Sequence, residues 1–386
     1  MDYATLFSPG PRAAEDSFRY SEPEFSYLDR SPRIAAARVR RRLQRWYMRY
    51  PADERAGLRQ RFRSRNNVDH YSSFFELFVH ELLLRLGCDV QVHPELPNRR
   101  KRPDFIFQSK GRNAYLEASV VSGESRQKAA ARARIDVVYD VLDRLESPNF
   151  FVGLHILGSP ATPPDANAIM RFLRERLAAL DPDEVAAAFA SAGGGGVPRW
   201  RYEDENWVEF FPVPRRSETK SEGSRPLGIF MRTGWSTAKH DIRKRLAAKA
   251  GRYGELDQPY VVALNVLEGG VDEEDTLDAL FGTTQWNYRE DTLDFIGSTR
   301  NSDGFWLGPS GPKHTRVSAV LIVRHVSPWR VGHASACLYH NPWAAKPYES
   351  QLARLPEVAM RDGKAHRTRG VSFRTLFRLP VKWPEQ

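Results

Sequence analysis

Three carboxylates occupy places where the surrounding pattern calls for apolar side chains: Glu76, Asp104 and Glu117. The first lies in "YSSFFELFVHELLLRLG", a helical run with Ser72 or Ser73 as cap and Gly87 as stop. At 3.6 residues per turn His80 falls about 40° from Glu76, with Leu83 and Leu84 beside the pair, while Glu81 and Arg85 lie about 140 to 180° away. Glu81 and Arg85 therefore read as an ordinary solvated pair. Glu76 and His80 interrupt an apolar surface instead, and a carboxylate is not buried without a hydrogen-bonded partner or a metal. A bond between the two, or from Glu76 to a nearby arginine, is the structural solution; metal binding is the chemical one.

The other two carboxylates lie in "RPDFIFQSKGRNAYLEASVV", which reads as two strands around a turn at Gly111 and Asn113. Alternation puts Asp104 on one face with Ile106, and Glu117 on one face with Tyr115 and Ser119. If the strands pair as a hairpin, Asp104 and Glu117 meet beside the helix carrying Glu76. Three convergent carboxylates repel one another unless a cation joins them. A hard ion such as Mg²⁺ takes oxygen ligands at about 2.0 to 2.1 Å and keeps positions open for water and phosphate. Such an ion acidifies an attacking water and stabilises charge developing on phosphate oxygens.

The elements that must position these residues are spread over 386 residues, enough for one elaborated domain or two packed ones. A hydrophobic fraction of 41%, with nine Trp and 21 Phe, supplies a sizeable core. Residues 1–30 carry Pro, Ser and acids without periodicity and read as a loose lead-in; 31–70 form a basic helical segment; 71–192 a core; and 193–386 a C-terminal α/β extension packed on it. In the core a short strand, "CDVQVH", precedes the hairpin, and a helix from about Ser125 to Leu145 leads into the strand "FFVGLHIL". Another helix, "PDANAIMRFLRERLAAL", follows, and "SAGGGGVP" reads as a flexible break. Beyond it "WVEFFPVP" and "LGIFMR" read as strands around an exposed loop, "RRSETKSEGSRP". The helix "STAKHDIRKRLAAKAGRYG" and the strands "PYVVALNVL", "RVSAVLIVRHV" and "ASACLYH" complete an α/β pattern.

Charge points to the partner. The net charge is +10, and between Pro32 and Arg65 twelve arginines face only Asp53 and Glu54. Arg38, Arg41, Arg42, Arg45 and Arg49 recur at helical spacing, a row of guanidiniums suited to phosphates. A solvated face, or a packing helix whose arginines pair with acids, accounts for the same row. "GPKHTR" and "YHNPWAAKP" are turn-rich segments that could line a nucleic-acid groove or serve as ordinary loops. No apolar run is long enough for a membrane span, no basic start or apolar h-region marks the N-terminus for export, and Cys88 and Cys337 make no redox or metal pair, so a cytoplasmic protein is expected. P-loop, dinucleotide, zincin and nucleophile-elbow patterns are absent.

The helix glutamate eleven residues before Gly87, then Pro103-Asp104, then Glu117-Ala118-Ser119, followed by a helix and a strand, resembles the PD-(D/E)XK nuclease superfamily, the restriction-endonuclease-like fold. The resemblance covers about residues 72 to 157. It implies a mixed sheet flanked by helices, Mg²⁺ (with Mn²⁺ as substitute) held by Glu76, Asp104 and Glu117, and hydrolysis of phosphodiester bonds in DNA, with a homodimer as a further expectation. The departure is Ser119, at the place of the family's lysine. A serine can bond a water but brings no positive charge. Lys128, on the following helix, is one replacement. Lys249, which interrupts the apolar face formed with Ile242, Leu246 and Tyr253, is another, and His80 is a third group for the metal's surroundings. An exposed or snorkelling lysine is the plain reading of both lysines. The alternative function is a catalytically silent relative that binds nucleic acid or serves in an assembly.

Overall fold

The structure is a computed structural model that describes residues 5–14, 17–97, 99–122, 126–192, 195–202, 207–215, 238–267, 271–292, 294–349, 352 and 354–385; at 126–129, 192 and 238 only the backbone is described. In chain order the elements are α1 (Glu24–Arg30), α2 (Ile34–Arg49), α3 (Arg55–Phe62), α4 (Asn67–Arg85), β1 (Asp89–Val92), β2 (Phe105–Ser109) and β3 (Arg112–Val121). Then come α5 (Arg126–Arg144), β4 (Phe150–Ile156), α6 (Ala166–Ala178), α7 (Pro182–Ala192), β5 (Trp200–Arg201) and β6 (Val208–Pro214). The rest are α8 (Ala238–Ala250), β7 (Tyr260–Val266), α9 (Glu273–Phe281), β8 (Thr284–Tyr288), β9 (Phe295–Arg300), β10 (Leu307–Gly308), β11 (Gly311–Pro312), β12 (Ala319–Arg324), β13 (Ser335–His340), β14 (Glu357–Arg361), β15 (Lys364–Thr368) and α10 (Phe373–Leu376).

Two compact units emerge, and both are discontinuous in sequence. The larger joins 1–16, 23–123 and 236–386; the smaller joins 17–22 to 124–235. This division differs from the linear one expected at 192/193. The reason is sheet pairing: β3 runs parallel to β7, with Glu117 opposite Val262, so residues 260–266 continue the sheet begun at 89. The expected continuation of the core through α5 and β4 is corrected accordingly. β4 pairs with β6 in a separate sheet ordered β4-β6-β5 in the smaller unit. That unit has its own core, including Val138, Leu142, Phe150, Val152, Leu173 and Phe210. The loop and strand expected at 215–226 and 227–232 lie outside the described residues except Arg215, as do Gly193 and Gly194 of the expected break.

In the larger unit the mixed sheet has eight strands in the order β1-β2-β3-β7-β12-β13-β14-β15. Period-two alternation divides its side chains between two cores. Phe105, Phe107, Leu116, Val261 and Ala263 pack on one side with residues of α1 to α4 and α10; Tyr115, Val262 and Leu264 pack on the other with Ile242, Leu246 and Leu277. The segment expected to be a loose lead-in is anchored in the first core, where Leu6, Phe7, Phe25 and Leu28 are buried. Its apolar residues were too few for a period, but packing needs only contacts.

Helix α4 begins earlier than its serines suggest. Asn66 caps it by accepting from Val68 N, whereas Ser73 donates to the Asp69 carbonyl inside the helix. The β2–β3 connection is a two-residue turn in which Lys110 (φ 51°) and Gly111 (φ 75°) both take left-handed backbone, the pattern that matches the twist of paired strands. Among the described residues no helix is long and apolar enough to cross a membrane.

Candidate active site

The hairpin register puts Phe105 opposite Leu116, so Asp104, one residue before β2, stands beside Glu117. Asp104 is fixed at both ends. Its carboxylate Oδ2 accepts from Ala118 N at 2.7 Å, and its carbonyl accepts from His93 N at 2.9 Å.

Glu117 is only 2% exposed, and its charge is met from α8. Ile242, Leu246 and Lys249 recur at intervals of four and three on the side of that helix facing the sheet, and Tyr253, in the turn just past its end, packs with Ile242 and Leu246. The spacing brings Lys249 Nζ to 2.7 Å from Glu117 Oε1, while the Tyr253 hydroxyl bonds Oε2 and lies 3.0 Å from the Arg102 carbonyl oxygen. Arg252 adds a second cation, 3.7 Å from Oε1. Burial and the neighbouring Glu117 charge raise the Tyr253 phenol well above its ordinary value, so it stays protonated and donates.

Glu76, from α4, has its own set of partners. Tyr50 donates to Oε1 at 2.6 Å, Arg61 pairs with Oε2 at 2.6 Å, and His93 Nε2 is 3.6 Å from Oε1. The other ring nitrogen of His93 is 3.0 Å from Glu54. His93 holds a left-handed backbone (φ 46°), a conformation uncommon for residues other than glycine. The suggested Glu76–His80 bond is not formed: the His80 ring packs edge-on to Tyr50 at 4.9 Å, and burial, aided by the Arg49 charge, lowers its pKa to about 4. His80 is therefore neutral near pH 7, packed between aromatic rings.

Asp104 carries the electrostatic tension of the site. Burial first, then the charges of Glu117 and Glu76, raise its pKa well above the ordinary aspartate value, against the opposing Ala118 N–H and Lys249. Its donor chemistry fits a hard divalent cation: three oxygen-bearing groups whose mutual repulsion an ion would relieve. As the side chains stand, however, no three His, Cys, Asp or Glu groups among the described residues are gathered closely enough to hold a metal. Lysine, arginine and phenol groups occupy oxygens of Glu117 and Glu76 that a cation would need.

Ser119 is buried two residues beyond Glu117 on β3. Lys128 belongs to α5 of the smaller unit, and its side chain lies outside the described residues. The arginine row divides. Arg38 donates to the carbonyls of Pro384 and Glu385, Arg42 donates to that of Phe377 and sits over the Trp383 ring, and Arg49 pairs with Glu81 at 3.0 Å. Arg41 and Arg45 are exposed.

Glu81 corrects the wheel reading. It is fully buried, joined to Arg49 and to Arg85 at 2.7 Å, because α4 is covered on nearly all sides by α1 to α3, the sheet and the C-terminal segment. A wheel finds the side that faces one neighbour; it does not count neighbours.

Sequence reasoning missed Tyr50, Arg61, His93, Tyr253 and Arg252 as partners of the carboxylates. Only Tyr253 left a signal, its helical spacing from Lys249. Tyr50 arrives from the residue that ends α2 and Arg61 from α3, where nothing in their spacing distinguishes them. Comparison with known family models, curated proteins and solved structures finds no match.

Proposed function

We propose that the protein is a Mg²⁺-dependent nuclease of the PD-(D/E)XK type, hydrolysing phosphodiester bonds in DNA, with its motif lysine supplied by α8. The observation that carries this reading is the 2.7 Å approach of Lys249 to Glu117, which brings an ammonium to the strand whose own sequence offers Ser119. Support comes also from element order: α4, then β1 to β3, then the crossover helix α8 and the parallel strand β7, with residues 124–235 inserted between. Asp104 and Glu117, joined by Glu76, would hold the ion. A bound Mg²⁺ would acidify water and neutralise phosphate charge. Lys249 would orient the attacking water and offset the charge that grows on the phosphate. Tyr253 holds Glu117 in place, and Arg41 and Arg45 present exposed charge to the DNA backbone.

The test is cleavage of plasmid, linear and single-stranded DNA, and of RNA, with Mg²⁺ or Mn²⁺. Cleavage of DNA that disappears in Asp104→Ala and Glu117→Ala supports the reading; cleavage that survives both substitutions rules out this site.

A second reading is favoured by one feature: oxygens of Glu117 and Glu76 already have cationic and phenolic partners without a metal. A silent relative that binds nucleic acid fits that arrangement. Salt-sensitive DNA binding without cleavage under any divalent ion would select it.

A further inference from the structure

A cavity of about 480 Å³ opens among His240, Arg243, Lys244, Phe305, Lys313 and His314. It uses the stripe of α8 turned away from Lys249, since His240 and Lys244 lie roughly opposite Lys249 on a helix of 3.6 residues per turn. Its ionisable wall is basic throughout, and no Asp or Glu among the described residues lines it. Arg243 is tied in place by the carbonyls of Asp278 and Ala279, at 2.8 and 3.3 Å, and by Asp303 at 3.2 Å. Lys244 and Lys313 have no carboxylate partner among the described residues. Two such ammoniums facing one concavity raise its potential until an anion enters.

The remaining wall is flat and aromatic. Phe305, 2% exposed, stacks on the His314 ring with centroids 4.6 Å apart and planes 12° apart. His314 adopts a left-handed backbone (φ 51°), and Lys313 is anchored by its N–H to the Trp306 carbonyl at 2.9 Å. Burial, then the Lys313 charge, lowers the His314 pKa, so its ring is a neutral π surface near pH 7. Gly304 permits this construction, because a Cβ there would meet the backbone N of Gly282 at 2.4 Å. The concavity is open to solvent on one side and has room for a small ligand lying along its wall.

We propose that this cavity binds a nucleotide, its phosphate between Lys244 and Lys313 and its base against His314. The ligand's source is either a free mononucleotide or the phosphorylated end of a nucleic-acid strand, which share this chemistry. The assignment is independent of the carboxylate cluster, because it stands on the other side of α8.

Binding to the full chain is measured by calorimetry with AMP, adenosine, inorganic phosphate, and a short oligonucleotide with and without a 5′-phosphate. The expected result is that AMP, the phosphorylated oligonucleotide or both bind at least about tenfold more tightly than their unphosphorylated counterparts. Lys244→Ala with Lys313→Ala removes that preference, and Asp104→Asn leaves it unchanged while abolishing any cleavage. The free-nucleotide source is shown by AMP, the strand-end source by the phosphorylated oligonucleotide. The proposal is overturned if neither phosphate preference appears, if the preference survives in the double lysine variant, or if inorganic phosphate binds as tightly as AMP. Both lysines are exposed, so circular dichroism of the double variant is expected to match the parent.

Discussion

Lys249 and Glu117 are 132 residues apart in sequence and 2.7 Å apart at Nζ and Oε1. With Glu117 2% and Lys249 14% exposed, this is a buried pair, and removing one member leaves the other charged without its main counter-ion. Lys249→Met is expected to cost about 3 kcal/mol or more in urea unfolding. Glu117→Gln combined with Lys249→Met is expected to recover much of that loss, because no charge is then stranded. If the single and double variants are equally unstable, the pair is not the source of the loss. Under the proposed function, Lys249→Met also lowers DNA cleavage by about 10²-fold or more.

Asp104 gives a pH signature. Its folded pKa is raised, so between the ordinary aspartate value and the raised one the native state binds more protons than the unfolded chain, and stability falls as pH rises through that window. Asp104→Asn removes the ionisation while its amide oxygen still accepts from Ala118 N. The variant is expected to match the parent at pH below the ordinary aspartate value and to melt about 1 to 3 °C higher near pH 7 without divalent ions. Saturating Mg²⁺ reverses the order if the site takes the ion. Thermal melts at both pH values, with and without Mg²⁺, check each part.

Glu81 tests how fully α4 is enclosed. Glu81→Ala leaves Arg85, 20% exposed, without its carboxylate and is expected to cost about 3 kcal/mol. A cost under about 0.5 kcal/mol in chemical denaturation would mean that the pair behaves as a surface one.

The arginine row separates into two experiments. Arg41→Ala with Arg45→Ala is expected to weaken DNA binding and reduce the slope of log K against log salt by about 2, with little change in melting temperature. Arg38→Ala with Arg42→Ala is expected to lower the melting temperature, because these side chains hold the carbonyls of Phe377, Pro384 and Glu385. Fluorescence anisotropy across a salt series and thermal melts read the two outcomes. Equal effects on both properties from both pairs would dissolve the distinction.

The sequence by itself determined what depends on neighbours in the chain. Period-two alternation and the turn at Gly111 specify the hairpin that sets Asp104 beside Glu117, and the spacing of Ile242, Leu246 and Lys249 specifies a helical face with a lysine in it. Tertiary structure alone decided which strand runs next to β3. Parallel neighbours need a crossover and can lie far apart in sequence, so α5 and β4 were as eligible as α8 and β7, and only the observed pairing brings Lys249 to Glu117. Tertiary structure also decided that Glu81 is enclosed, that Arg61 and Tyr50 answer Glu76, and that Arg38 and Arg42 hold the C-terminal segment. Periodicity records that a side chain faces something. Which residue it faces is settled by long-range packing, where the desolvation of each charge must be offset by a partner that chain spacing does not encode.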